Sequence, residues 1–170
     1  MAQVSESIRI EAGPEVVYAL VADVGSVGRF SPEATGAVGA RHSPDAGAHF
    51  WGLNRRGPWV WATRCRVIAA DPGRRFAFDV DVWPFSVSRW EYDIVPEPGG
   101  CRVTETWTDR RTGVRGRFIT VAGSAVIPGP RDEHNRRNIQ ESLAALKRLA
   151  EAADGAPDDG PPGPDRTDLR

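Results

Sequence analysis

The sequence predicts an α+β fold: a strongly curved, seven-stranded antiparallel sheet wrapped around one long C-terminal helix, with two short helices after the first strand. Three observations predict it. Between Thr35 and Asp109, runs of alternating apolar and polar residues are separated by Gly57-Pro58, Asp71-Pro72-Gly73 and Glu97-Pro98-Gly99-Gly100, connections that only antiparallel neighbours can use. From Asp132 to Ala153 the apolar period changes to that of a helix. A sheet has one apolar face and a helix one apolar stripe, so each must cover the other.

Taken in order, Val4, Ile8 and Ile10 alternate with Ser5, Ser7 and Arg9, a period of two that makes the first strand. Ala12-Gly13-Pro14 breaks it, and Pro14 suits the first turn of a helix whose apolar content is Val16, Val17, Ala19, Leu20 and Val21. A second short helical turn through Val27, Gly28 and Phe30 ends at Ser31-Pro32. Strands are expected over Thr35–His42, His49–Arg56, Trp59–Ala69, Arg75–Asp81, Ser86–Val95 and Cys101–Asp109. Thr120–Arg131 reads as a loop. The final helix places Asn135, Ile139, Ser142, Leu143, Leu146, Leu149, Ala150 and Ala153 on one face, with Asp132 and Glu133 early and Lys147 and Arg148 late, as the helix dipole favours.

At 170 residues the chain has material for one domain, placed at residues 1–153. Residues 154–170 (DGAPDDGPPGPDRTDLR) have no apolar period and are rich in helix-breaking prolines; they are expected to be a disordered acidic tail. With 22 Lys+Arg against 23 Asp+Glu, the formal charge of −1 gives no reason to expect nucleic acid as partner. No apolar run is long enough to span a membrane and no signal peptide is visible, so a cytoplasmic location is expected. Cys65 and Cys101 fit no metal-ligand spacing and read as two small apolar residues; His42, His49 and His134 belong to separate elements. Neither a metal nor a cofactor is expected. Glycine motifs for phosphate and the serine elbow of hydrolases are also missing.

The six tryptophans all lie between Trp51 and Trp107. Strand alternation sorts most of them onto one face. Trp59, Trp61, Thr63, Cys65 and Val67 share a face, as do Phe76, Phe78 and Val80, then Ser88, Trp90, Tyr92 and Ile94, then Val103, Glu105 and Trp107. In the strand from His49, Phe50, Gly52 and Asn54 are assigned inward and Trp51 outward. The inner wall then gathers wide aromatic surfaces with a few polar groups, Asn54, Thr63, Ser88 and Glu105, which is the make-up of a small-molecule pocket. Filling of the core against Ile139, Leu143 and Leu146 explains the same aromatics without a ligand, and both readings stay open at this point.

Several segments carry a family resemblance. Ile10-Glu11-Ala12-Gly13-Pro14-Glu15-Val16-Val17-Tyr18, Phe50-Trp51-Gly52-Leu53-Asn54, Arg75-Phe76-Ala77-Phe78, Trp90-Glu91-Tyr92 and the stretch from His134-Asn135 to Leu146-Lys147-Arg148-Leu149 resemble the helix-grip superfamily. That superfamily, also called SRPBCC, includes START lipid-transfer domains, birch-pollen-allergen-like proteins and the bacterial polyketide cyclase/dehydrase group. The resemblance covers about residues 4–153. It implies a cavity between sheet and helix for a small hydrophobic, polyketide-like metabolite, and leaves open whether the protein cyclises and dehydrates that ligand or only carries or senses it. Whether a carrier protein delivers the ligand stays open, as do monomer and homodimer.

Ligand-wall candidates are Asn54, Trp59, Trp61, Thr63, Phe76, Phe78, Ser88, Trp90, Tyr92, Trp107, Asn135, Ile139 and Leu143. Glu105 is the first candidate for acid–base work, because a carboxyl between Val103 and Trp107 on an enclosed face has its pKa pushed upward and can move a proton on an enolisable ketone. His134, near the expected mouth, is the second. Arg117, Arg131, Arg136 and Arg137 are candidate receivers of a carboxylate, a phosphopantetheine arm or an acidic protein surface.

Overall fold

A computed structural model describes residues 2–39, 42–82, 85–111 and 131–155. Most of the expected Thr120–Arg131 loop, Arg117, Trp83, Pro84 and the tail from residue 156 lie outside the described residues. Strand β1 (Gln3–Ile10) leads into helix α1 (Pro14–Ala22), a 3-10 helix (Val24–Arg29) and strand β2 (Ala34–Val38). Strands β3 (His49–Arg56), β4 (Trp59–Asp71), β5 (Arg75–Val82), β6 (Phe85–Glu97) and β7 (Gly100–Asp109) follow, and helix α2 (Arg131–Asp154) comes last.

All seven strands form one antiparallel sheet in the order β1-β7-β6-β5-β4-β3-β2. Strands β2 to β7 are a meander, and β1 closes onto β7 with Ile10 opposite Cys101 and Val4 opposite Trp107. The expected strand at Thr35–His42 ends early, at Val38, because Gly39 turns to a φ of +79° and leaves the ladder. Gly28 lets the 3-10 helix press against β2: a Cβ there would stand 2.8 Å from the Thr35 carbonyl oxygen.

Irregularities fall between Ala34 and Gly36 in β2, between Val67 and Ala69 in β4, and where β5 meets β6 near Val80 and Asp81. The extra residue in β4 returns Ala70 to the face of Val67, opposite Phe76, and such insertions bend a sheet into a curl.

Helix α2 buries Ile139, Leu143, Leu146 and Ala150 together with the polar Asn135 and Ser142. Its main contacts are β1, β7 and α1. Polar clasps fix its axis: Lys147 Nζ donates to the Arg9 carbonyl at 2.9 Å, the Glu11 amide to Glu151 Oε1 at 2.9 Å, and Arg136 pairs with Glu6 at 2.6 Å. The late cations expected to serve the helix dipole do not, since α2 runs to Asp154 and its last turn holds no basic residue. Helix α1 covers β5 and β6, so the concave faces of β3 and β4 have no described helix packed on them to a comparable extent.

Candidate functional site

Register places the candidate residues in rows across the concave face. In one row Glu6, Glu105, Tyr92, Phe76 and Ala70 stand opposite one another in turn; in the next come Val4, Trp107, Trp90, Phe78 and Val67. Ser88, Val80, Cys65 and Phe50 follow, then Thr63 opposite Gly52 and Asn54 opposite Trp61. Gly52 does face inward, as a Cβ on it would sit 3.4 Å from both Cys65 Sγ and Thr63 Oγ1. Trp51 is correspondingly exposed on the convex side.

Burial grades along these rows. Phe76, Tyr92, Trp107, Ser88 and Glu105 are buried, whereas Phe78 and Trp90 are partly buried and Trp61, Thr63 and Asn54 are half-buried. Trp59 departs from expectation. It has the inward parity but sits at the hairpin tip opposite Arg56, beyond the covered part of the sheet, and is exposed to solvent. It is no enclosed ligand wall.

Glu105 lies at the centre of the covered half, with 2% of its surface exposed. Tyr92 donates its hydroxyl to Glu105 Oε1 at 2.9 Å, and Oε2 is buried with no hydrogen-bond partner among the described residues. Burial drives the Glu105 pKa up to about 8, the Tyr92 hydrogen bond offsetting part of the rise. At neutral pH the group is therefore mostly a neutral acid. Tyr92 is itself raised well above the ordinary phenol range, by burial first and by the Glu105 charge second. Glu6, its cross-strand neighbour, accepts a hydrogen bond from Arg136 at 2.6 Å.

At the rim, His134 and Asn138 on α2 meet Glu33, which precedes β2. Asn138 Nδ2 lies 3.1 Å from Glu33 Oε2 and 3.1 Å from His134 Nε2, and His134 Nε2 lies 3.5 Å from Glu33 Oε2. The Glu33 carbonyl accepts the Arg55 amide at 2.9 Å, tying this cluster to the end of β3. His134 is thus a rim residue, on a different element from Glu105, and the two catalytic candidates are not brought together. Among the described residues no group of three His, Cys, Asp or Glu side chains stands close enough to hold a metal ion. Cys65 and Cys101 are buried free thiols.

The family model described as "Polyketide cyclase / dehydrase and lipid transport" matches residues 1–151. The chain belongs to this polyketide cyclase/dehydrase and lipid transport family. A Polyketide_cyc-like protein, Cgl2372 of Corynebacterium glutamicum, is similar to it at 30% identity, with 89% of this chain and 92% of that one covered and a TM-score of 0.59. The di-domain ARO/CYC BexL from the BE-7585A biosynthetic pathway is similar in fold at 17% identity, covering 88% of this chain and 50% of that one, with a TM-score of 0.60. So is the Aha1 dimer from Colwellia psychrerythraea, at 13% identity, 91% and 100% coverage and a TM-score of 0.65. No curated protein matches the chain. No helix among the described residues is long and apolar enough to cross a membrane.

In this member of the polyketide cyclase/dehydrase and lipid transport family, sequence reasoning missed two polar features of the site. Glu33 sits in an irregular segment where no periodicity assigns a direction. Asp109, opposite Ser88, holds Arg111 by Nε at 2.8 Å and Nη2 at 2.5 Å, and the remaining Nη1 is buried with no hydrogen-bond partner among the described residues. Parity alone put Asp109 on the face of Glu105 and Trp107, and could have found it. Of the arginine candidates, Arg136 is engaged with Glu6, Arg137 is exposed and Arg131 opens α2.

Proposed function

We propose that the protein binds a small hydrophobic, polyketide-like metabolite between the concave sheet face and α2, and that Glu105 moves a proton on that ligand in an aldol-type cyclisation and dehydration. The observation that carries the reading is Glu105 itself, a buried carboxyl whose Oε2 has no partner among the described residues while Oε1 is held by Tyr92. A buried unsatisfied polar atom costs about 1–3 kcal/mol, and a ligand oxygen at Oε2 would recover it. The aromatic walls supply affinity: burying roughly 300 Å² of apolar ligand surface is worth about 7 kcal/mol before association costs.

The chemistry closes with one carboxyl. As the enol carbon of the folded chain bonds to the carbonyl carbon, Glu105 gives its proton to the carbonyl oxygen, which becomes a hydroxyl. The resulting carboxylate, held by Tyr92, then takes the proton lost from the attacking fragment. Dehydration starts from the acid so restored: Glu105 protonates the departing hydroxyl, which leaves as water, and the resulting carboxylate takes the α-proton, returning Glu105 to its acid form. Proximity of the two reacting carbons within the chamber contributes most of the rate.

A second reading, a non-catalytic carrier or sensor of a hydrophobic ligand, is favoured by the placing of the two acid–base candidates apart: Glu105 bonds Tyr92, whereas His134 meets Glu33. Mass spectrometry of small molecules that co-purify with the protein identifies the ligand class. Glu105→Gln then separates the readings: loss of turnover with binding retained supports proton transfer, and retained turnover refutes it.

A further inference from the structure

Among the described residues, five large apolar side chains stand exposed, and four of them belong to β2, β3 and β4: Val38 at 51%, Trp51 at 50%, Trp59 at 55% and Val60 at 73%. The same region is segregated in charge. From Ala46 to Ala70 the chain carries Arg55, Arg56, Arg64 and Arg66 and not one carboxylate, although the whole sequence has 23. Arg66 reaches across to Asp79 at 3.7 Å, while Arg55 and Arg64 are exposed.

The β3–β4 hairpin ends in a Gly57-Pro58 turn, Gly57 taking a φ of +55°. Trp59 and Val60 follow as consecutive strand residues, so they point to opposite faces of the ribbon. Both are more exposed than buried. A protein seated on the sheet would cover one face of this tip and leave the other in water. A medium that surrounds the tip, the boundary between lipid headgroups and acyl chains, covers both. Tryptophan is suited to that boundary and arginine to its phosphates. The tip also adjoins the rim, through the Arg55 amide on the Glu33 carbonyl and the Asn138 amide on the Glu33 carboxylate.

We propose that the β3–β4 tip docks on an anionic lipid surface, with Trp59 and Val60 among the headgroups and Arg55 and Arg56 on phosphates. This docking does not depend on what the chamber holds.

The test is co-sedimentation of the full chain with vesicles of pure phosphatidylcholine and with vesicles of equal parts phosphatidylcholine and phosphatidylglycerol. Binding is expected to the anionic vesicles, to fall with added salt, and to weaken about fivefold with each of Arg55→Gln and Arg56→Gln. Trp59→Ser and Val60→Ser should each weaken it, with urea midpoints that stay at the parent value and so show an intact fold. No pelleting with the anionic vesicles, or binding indifferent to both arginines, overturns the proposal. So does loss at only one of Trp59 and Val60, because a medium that surrounds the tip must touch both.

Discussion

Replacing Glu105 by glutamine should make the protein more stable, and increasingly so as the pH rises. The unfolded chain gives up this proton near its ordinary value of 4.5, whereas the native chain keeps it until about 8. Below pH 4.5 both states are protonated and the residue contributes no pH dependence. Between the two values, each pH unit costs the native state about 1.4 kcal/mol, because only the unfolded state can release the proton. The loss reaches about 3 kcal/mol at pH 7 and levels off at about 5 kcal/mol above pH 8. Glutamine keeps an Oε1 to accept the Tyr92 hydroxyl and cannot ionise, so it escapes the loss. Urea unfolding of both proteins, followed by tryptophan fluorescence from pH 4.5 to 9, gives the difference directly. Taking the difference between the two chains cancels every carboxylate that titrates alike in both, including Asp79, held low by Arg89 and Arg110 against the opposing effect of its burial. A difference that does not change across this range would refute the reasoning, and would mean that Glu105 is ionised and compensated in the native state.

Asp79 should be the costliest acidic residue to truncate on the convex side: Arg89 holds it at 2.8 Å, Arg110 at 3.0 Å and Arg66 at 3.7 Å, and Asp79→Ala should lower unfolding free energy in urea by about 3 kcal/mol. Gly100→Ala should destabilise by several kcal/mol, read as a lowered thermal midpoint, since the new Cβ would run into the Ile10 carbonyl where β7 begins. Cys65, its thiol pushed up to about 11 chiefly by burial, should resist alkylation at neutral pH until urea unfolds the chain.

The architecture was legible because each element announced itself by a period and a terminator. His49–Arg56 and Asp132–Ala153 emerge within a residue of their observed limits, since alternation and the helical stripe are local properties. Parity likewise put Glu105, Tyr92 and Trp107 on one face, because no bulge interrupts β7 or its pairing with β6. Parity does not report coverage, however: Trp59 shares the face of Phe76, yet that face is enclosed at Phe76 and open at the hairpin tip where Trp59 stands exposed. The Glu33 cluster was out of reach for a different reason. It joins a loop to a helix about a hundred residues later, and neither partner has a pattern that names the other.

The unequal covering of the sheet has a consequence for how such a protein can change over generations. Helices α1 and α2 pack on β1, β5, β6 and β7, while Asn54, Trp61 and Thr63 on the open strands are only half-buried and so have less apolar burial to lose. Substitutions on that open wall can therefore reshape ligand preference at small expense in stability, leaving the covered half, with its single buried acid, as the inherited part of the machine.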